Sequence, residues 1–245
     1  MLILKDQPAY LPGDMLIRLS SKADGTMLDR TTDLHAPATV TNRTAFCKAL
    51  GLEYSDMVYQ NIVYGEGQSY IKIATVDATH TTAYTEAISA DALFTKTPGA
   101  GLFLPVADCI AAVLYDPTHR YLALLHLGRD STVAELMKQM IDKFMIEGSS
   151  PNDLVVYMGP SAKRETYCMQ WFDGADRPSW QPFIDTTERG ICLDLPGFNR
   201  DICLKAGILP ENITISPINT MTASSYFSHS MGDVAGRFAV VAMMH

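Results

Sequence analysis

Short apolar runs, each broken by proline, glycine or aspartate, dominate the middle of the chain. Runs of this length and composition are typical of buried β-strands, whose side chains are covered on both faces of the sheet. The predicted strands are Met57–Val63, Tyr70–Val76, Ala92–Thr95, Leu102–Val106, Ile110–Tyr115, Tyr121–Leu125, Leu154–Met158, Ile213–Ser216 and Arg237–Met243.

A second pattern, apolar residues at helical spacing, follows these runs. Thr132–Glu135 has the form of a capping box, which predicts a helix start there, and Gly148 predicts the helix end. Shorter helices are predicted over Thr41–Leu52 and Asn199–Ala206, whereas the proline-rich, polar stretch Asp173–Thr187 predicts a surface loop. The positions that form one apolar helix face are Val133, Leu136, Met137, Met140, Ile141, Phe144 and Met145.

Strands and helices mix along the chain without strict alternation, which favours the α+β class with mixed sheets packed under helices. No internal repeat or linker divides the 245 residues, so we expect one domain over residues 1–245. The segment Met1–Asp6 lacks the features of a secretion signal, and no apolar run approaches the roughly 18 residues of a membrane helix. These observations predict a cytoplasmic protein.

The net charge limits the classes of binding partner, and the cysteine spacing indicates the redox state of the thiols. The formal net charge is −8, which argues against attraction of nucleic acid or an anionic membrane surface. The five cysteines are odd in number and widely spread, with no CxxC pair. This spacing predicts reduced thiols rather than a disulfide framework.

Two polar spots interrupt the apolar strands and are the candidates for chemistry. Asp108 and Cys109 lie between two predicted strands, and His126 ends the next strand, followed by Gly128 and a predicted helix start. Cysteine and histidine are the preferred zinc ligands, and a helix N-terminus favours anions. Taken alone, these residues fit a buried structural thiol and a hydrogen-bonded structural histidine better than a metal site.

A series of short motifs resembles the laccase-domain (YfiH-type) family in order and spacing. The resemblance covers about residues 15 to 243. Its pieces are Asn42-Arg43, Leu50-Gly51-Leu52, Ser89–Thr95, Pro98-Gly99, Ala107-Asp108-Cys109, Tyr115-Asp116, His126-Leu127-Gly128, Thr132-Val133-Ala134, Gly159-Pro160-Ser161, Tyr226-Phe227-Ser228 and Gly236-Arg237.

This resemblance implies a sandwich-like core flanked by helices and a His–Cys–His zinc site, with no organic cofactor. Cys109 and His126 match the second and third zinc ligands of the family. Tyr64 stands where the family has its first histidine, and a phenol must lose its proton before it binds zinc. His80 and His229 are possible substitutes for the missing ligand.

The family pattern also implies a phosphate site beside Gly128, where this chain departs from it again. Asp130 replaces the family's arginine, and two basic residues are missing near Phe227. The remaining local candidates for binding phosphate are Arg129, Arg237 and the pair Lys163-Arg164.

The function that the resemblance implies is phosphorolysis of purine nucleosides, or deamination of adenosine, at a zinc site. Cys109, His126 and Asp108 are the candidate catalytic residues, and a purine nucleoside and phosphate are the expected small-molecule partners. Three alternatives remain: a hydrolase of a cell-wall precursor that uses a Cys109–His126 pair, a non-catalytic nucleoside- or partner-binding relative, and, least favoured, a copper-dependent phenol oxidase. The sequence leaves the oligomeric state open.

Overall fold

The computed structural model describes residues 12–65 and 71–245. The helices are α1 (Pro37–Ala49), α2 (Arg129–Val133), α3 (Leu136–Ile146) and α4 (Leu195–Lys205). The strands are β1 (Met15–Leu19), β2 (Leu28–Asp29), β3 (Met57–Asn61), β4 (Ile73–Val76), β5 (Ile88–Ser89), β6 (Ala92–Thr95), β7 (Gly101–Val106), β8 (Ile110–Asp116), β9 (Tyr121–Leu127), β10 (Val155–Met158), β11 (Cys168–Met169), β12 (Ile184–Thr187), β13 (Gly190–Leu193), β14 (Ile213–Ile215) and β15 (Gly236–Met244).

Two mixed sheets form the centre of the described structure. The first sheet has the strand order β1-β15-β7-β3-β5, with β2 paired to the start of β15. The second has the order β14-β10-β8-β9-β6-β4. Both sheets contain parallel and antiparallel pairs, as the α+β class predicted from the sequence requires.

The two sheets pack face to face, and the alternation of side chains along each strand builds the core. Ala111 and Val113 of β8 belong to the apolar layer between the sheets. Ala112 and Leu114 point the other way, into a second layer that α3 and α4 cover. A smaller apolar cluster lies between the first sheet and α1. This arrangement is the sandwich-like core flanked by helices that the resemblance implied.

The predicted strands are confirmed, with boundaries that shift by up to three residues. Helix α1 begins at Pro37, before the predicted start at Thr41, because proline is well accommodated in the first helical turn. Tyr70 and the segment Met1–Asp6 lie outside the described residues. No helix within residues 12–65 and 71–245 combines the length and apolarity needed to cross a bilayer.

The predicted capping box at Thr132–Glu135 is wrong. The Thr132 hydroxyl is buried and accepts a hydrogen bond from Asn199 Nδ2 at 3.1 Å, so it does not cap a helix. Glu135 has φ of 55° and separates α2 from α3, so the apolar face belongs to two helices rather than one. Gly148, with φ of 103°, follows the end of α3 as predicted.

The stretch Asp173–Thr187 is not simply a surface loop. It ends in strand β12 and contains Trp180, which is 1% exposed and stacks on Phe198 with ring centres 3.9 Å apart. Strands β11, β12 and β13 form a separate three-stranded sheet around this anchor. Ala175, Phe183 and Ile184 of the same stretch also pack against the core, although most of its residues are polar.

The prediction of reduced thiols is wrong for two of the five cysteines. Cys168 and Cys192 form a disulfide, whereas Cys47, Cys109 and Cys203 carry free thiols. The bonded cysteines are 24 residues apart, but the antiparallel pairing of β11 with β13 places them directly opposite each other. Spacing along the sequence cannot reveal a pair that strand register creates.

Denatured protein prepared without reductant should expose three titratable thiols, and five after reduction. The Cys168→Ser variant should lose about 3 kcal/mol of unfolding free energy, because the disulfide no longer restricts the unfolded chain. Thiol titration with a chromogenic disulfide and urea denaturation measure the two effects. Five thiols without reductant would contradict the disulfide.

Candidate functional site

A cavity of about 500 Å³ opens at one edge of the sandwich, between the ends of the two main sheets. This volume is within the range of small-molecule sites. The second sheet and the segments next to it contribute Asp91, Cys109 and His126 to the wall; the first sheet and its neighbours contribute Arg30, Tyr64 and Arg237.

Cys109 lies in the turn that joins β7 to β8. The preceding residue, Asp108, has φ of 70°, a left-handed conformation that ordinary side chains rarely adopt. Its buried carboxylate accepts hydrogen bonds from Thr220 Oγ1 and from the Ser230 backbone N–H, both at 2.8 Å. Asp108 therefore braces the turn that presents Cys109 to the cavity, and its carboxylate is engaged outside the cavity wall.

His126 lies near the end of β9, opposite Ala111 of β8. Strand alternation places its side chain on the same face as Leu122 and Leu124, in the layer between the sheets. Gly128 follows, and its missing side chain matters. A Cβ atom there would lie 3.1 Å from Cys109 Sγ and 3.4 Å from His126 Cε1, so glycine provides the space in which these two side chains meet.

Asp91 is the partner of His126. It precedes β6, which pairs with β9, and its backbone oxygen accepts a hydrogen bond from the His126 N–H at 2.8 Å. Its carboxylate lies 3.3 Å from His126 Nδ1, and both side chains are buried. Asp91, His126 and Cys109 thus form a row across one edge of the second sheet. Asp91 precedes β6, His126 lies in β9, and Cys109 precedes β8.

This neighbourhood controls the charge of His126. Burial by itself would lower the pKa of the imidazole, but Cys109 and the Asp91 carboxylate outweigh burial and raise the pKa to about 9. His126 is therefore an imidazolium near neutral pH, held between an acceptor on one side and a sulfur atom on the other.

Tyr64 forms part of the opposite wall and is 52% exposed. Its ring centre lies 6.4 Å from that of His126, with the two rings nearly perpendicular. The Arg30 guanidinium lies 5.0 Å from the centre of the Tyr64 ring. Desolvation and the proximity of Cys109 raise the pKa of the Tyr64 phenol to about 12, so it stays protonated near neutral pH.

The other residues predicted for the site divide into two groups. Arg129, Arg237 and His229 line the cavity together with Gly128. His80 does not line it, since its Nδ1 lies 2.9 Å from Asp77 in an exposed turn. Lys163 and Arg164 also lie outside the lining, where they bind the Ser216 carbonyl and the Asp185 carboxylate respectively.

Sequence reasoning missed several residues of the wall, among them Asp91, Arg30 and Gln60. Asp91 lies within the motif Ser89–Thr95, so its position in the family pattern was a usable signal. Arg30 lies outside every motif, and only the pairing of β2 with β15 brings it to the cavity. Gln60 is 1% exposed; its Nε2 donates to the Ala90 carbonyl, while its Oε1 has no hydrogen-bond partner among the described residues.

The zinc site implied by the resemblance requires three protein ligands. Cys109 and His126 supply two, and Tyr64 offers only a phenol that stays protonated near neutral pH. Within the described parts of the chain, no three histidine, cysteine, aspartate or glutamate side chains are grouped so that they could hold a metal ion. These residues do not fit a three-ligand zinc centre, and zinc binding stays a prediction.

Comparison with known proteins identifies the family. The family model described as multi-copper polyphenol oxidoreductase laccase matches residues 27–245. The chain belongs to this laccase-domain family. A structure of the hypothetical protein YfiH from Bacillus licheniformis has a TM-score of 0.80 at 24% identity, covering 94% of this chain and 93% of that one. YlmD from Geobacillus stearothermophilus also has a TM-score of 0.80, at 22% identity and with 98% of both chains covered.

Sequence relatives within the laccase-domain family carry a functional name. A purine nucleoside phosphorylase of Mycobacterium tuberculosis is 25% identical over 214 residues, which cover 84% of this chain and 80% of the relative. The purine nucleoside phosphorylase YlmD of Bacillus subtilis is 29% identical over 150 residues, or 57% of this chain and 52% of the relative. The family match confirms the resemblance found in the motifs.

Replacing Tyr64 with histidine should create the missing zinc ligand. We expect the Tyr64→His variant to retain about one zinc ion per chain after dialysis, because three ligands then surround one point. The native protein and the Tyr64→Phe control should retain far less than one. Mass spectrometry of the metal content is the measurement, and stoichiometric zinc in the native protein would contradict our view of the ligand set.

The raised pKa of His126 makes stability depend on pH. A group whose pKa rises on folding stabilises the protein fully below its unfolded pKa of about 6.5 and loses that contribution as pH rises through about 9. The unfolding free energy of the native protein, relative to His126→Gln, should therefore fall by up to about 3 kcal/mol across this window.

Urea denaturation at several pH values measures this difference. In the Asp91→Asn background the fall should be smaller and should end at lower pH, because the carboxylate that supports the imidazolium is gone. A difference that stays flat between about pH 6.5 and pH 9 would contradict the assigned charge of His126.

Proposed function

We propose that this chain is an enzyme that cleaves purine nucleosides by phosphorolysis, as the names of its relatives indicate for those proteins. The observation that carries the proposal is the position of His126. This histidine is held between Asp91 and Cys109 at the wall of a cavity large enough for a small molecule. A buried imidazolium fixed on one side and facing a cavity on the other is suited to general acid catalysis.

The reaction needs an acid because the departing purine leaves with the electron pair of the bond to the ribose. In the proposed step an oxygen of hydrogen phosphate forms a bond to the anomeric carbon as the bond to the purine nitrogen breaks. The His126 imidazolium donates its proton to the purine; the proton of the hydrogen phosphate passes to water, and water returns a proton to the imidazole. The products are the free base and ribose 1-phosphate, and His126 ends in its starting state.

Other residues of the wall fit a nucleoside ligand. Gln60 Oε1 is a buried acceptor without a partner among the described residues, and such a group is costly unless a ligand or water supplies a donor. A purine carries N–H groups that can meet this need. Ile62, Leu28 and Val106 add apolar surface to the same cavity.

Deamination and copper oxidation have less support. Deamination by attack of a metal-bound hydroxide requires a metal centre, as does copper-dependent oxidation of phenols. The described residues offer too few grouped ligands for either centre. The proposal therefore uses the protein's own side chains for each step.

One observation favours a second candidate function. The order Cys109, His126, Asp91 is also that of a nucleophile, a base and an orienting acid, so a hydrolase with Cys109 as its nucleophile fits the same geometry. The two functions differ in their need for phosphate. Phosphorolysis stops without phosphate, whereas hydrolysis through a covalent thioester or thioether continues.

Purified protein should release free base from inosine or adenosine only when phosphate is present. The His126→Gln variant should lower kcat by at least about 100-fold, because the acid is lost, and Asp91→Asn should lower it by about tenfold. The control His80→Gln changes an exposed histidine outside the cavity and should keep full activity. Chromatography of the bases measures release.

The outcomes separate the candidates. Base release that does not depend on phosphate would favour a nucleoside hydrolase that uses Cys109 as its nucleophile. A protein that releases no base, yet melts at a higher temperature with inosine, would be a nucleoside-binding relative without catalysis. Either result would contradict phosphorolysis.

A further inference from the structure

Two arginines face the cavity from the same ladder of the first sheet. Strand β2 pairs with the start of β15, so that Leu28 lies opposite Arg237. The pairing also includes Asp29 opposite Gly236, and the Arg30 N–H donates to the Ala235 carbonyl at 3.1 Å, which continues it by one residue. Residues two apart on a strand share a face, and Arg30 is therefore the diagonal neighbour of Arg237.

The Arg237 guanidinium is held by backbone carbonyls, and the Arg30 guanidinium lies against an aromatic ring. Arg237 is 7% exposed, and its Nη1 donates to the carbonyl oxygens of Asp233, Val234 and Gly236. Arg30 lies over the Tyr64 ring. Among the described residues, no carboxylate forms an ion pair with either arginine.

The positive charges of Arg30 and Arg237 lie in one cavity wall and repel each other. Burial lowers the pKa of Arg237, and the positive charge of Arg30 lowers it further. An anion bound between the two groups would remove this repulsion and receive charge-assisted hydrogen bonds from both.

We propose that Arg30 and Arg237 form the binding site for inorganic phosphate, with the Tyr64 ring positioning Arg30. This inference rests on the proposed phosphorolysis, since it assigns the place of the attacking phosphate. The phosphate would lie against the first sheet and face His126 on the second sheet, with the ribose of the nucleoside between them.

Arg129, the cation beside the start of α2, is a weaker candidate for the same task. Its Nε donates to Asp130 Oδ1 at 3.0 Å, and its side chain is 44% exposed. The neighbouring carboxylate would repel a phosphate dianion, and solvent screens what remains of the arginine's charge. Arg129 therefore provides a matched control.

Calorimetric titration with inorganic phosphate, with and without a non-cleavable inosine analogue, tests the assignment. The Arg30→Gln variant should weaken phosphate binding at least about tenfold, whereas Arg129→Gln should change the Kd by less than about twofold. Arg237→Gln should also weaken phosphate binding. However, the Arg237 side chain donates hydrogen bonds to three backbone carbonyls, so this substitution should also destabilise the fold. Arg30, which binds no backbone carbonyl through its side chain in the described structure, therefore carries the test.

Several results would overturn the assignment. They are phosphate binding by Arg30→Gln that equals the native value, an equal loss in Arg129→Gln, and no phosphate binding by the native protein under either condition. The assignment would also be contradicted if the native protein bound inosine 5′-monophosphate more strongly than phosphate, and if Arg30→Gln lost only the binding of the nucleotide.

The test separates this inference from the proposed function. Phosphate binding that depends on Arg30, in a protein that releases no base, would contradict phosphorolysis and support the anion site. Phosphate-dependent base release with an unchanged KM for phosphate in Arg30→Gln would support phosphorolysis and overturn the anion site.

Discussion

The antiparallel register of β8, β9 and β6 is the constraint on which the site depends. Backbone hydrogen bonds between these strands place Cys109, His126 and Asp91 in a row, although the three residues are distant in the sequence. Slipping the register by one residue would turn His126 into the layer under α3, away from the cavity. The large apolar surface buried on both faces of β8 and β9 prevents such a slip, so the hydrophobic core fixes the chemistry at its edge.

Each wall of the cavity has its own charge because each comes from a different sheet. The second sheet contributes a carboxylate, an imidazole and a thiol, whereas the first contributes two guanidinium groups and a phenol. A ligand that spans the sandwich therefore meets a proton donor on one side and fixed positive charge on the other. This polarity suits a reaction in which an anion attacks while a leaving group takes up a proton.

The sequence predicted the parts of this arrangement that depend on local pattern. Apolar runs located β6 to β9, and the motifs around Cys109 and His126 marked two of the three residues in the row. Asp91 was missed as a partner because the register that joins it to His126 is a long-range property. The same reason explains why Arg30 and the Cys168–Cys192 disulfide escaped notice, since strand pairing creates both. The break at Glu135 was missed because Thr132 is occupied by Asn199, a contact between distant segments.

Tyr64 is the residue where the departure from the family pattern and the arginines of the first sheet meet. Where the family pattern has a histidine able to hold a cation, this chain has an aromatic ring on which a guanidinium rests. In our proposal, Arg30 and Arg237 supply positive charge to the same region of the cavity. A guanidinium remains charged at every physiological pH, and its planar donors match the oxygens of a phosphate. Tyr64 therefore contacts a guanidinium at the first sheet, while the register of β8 and β9 presents Cys109 and His126 from the second sheet.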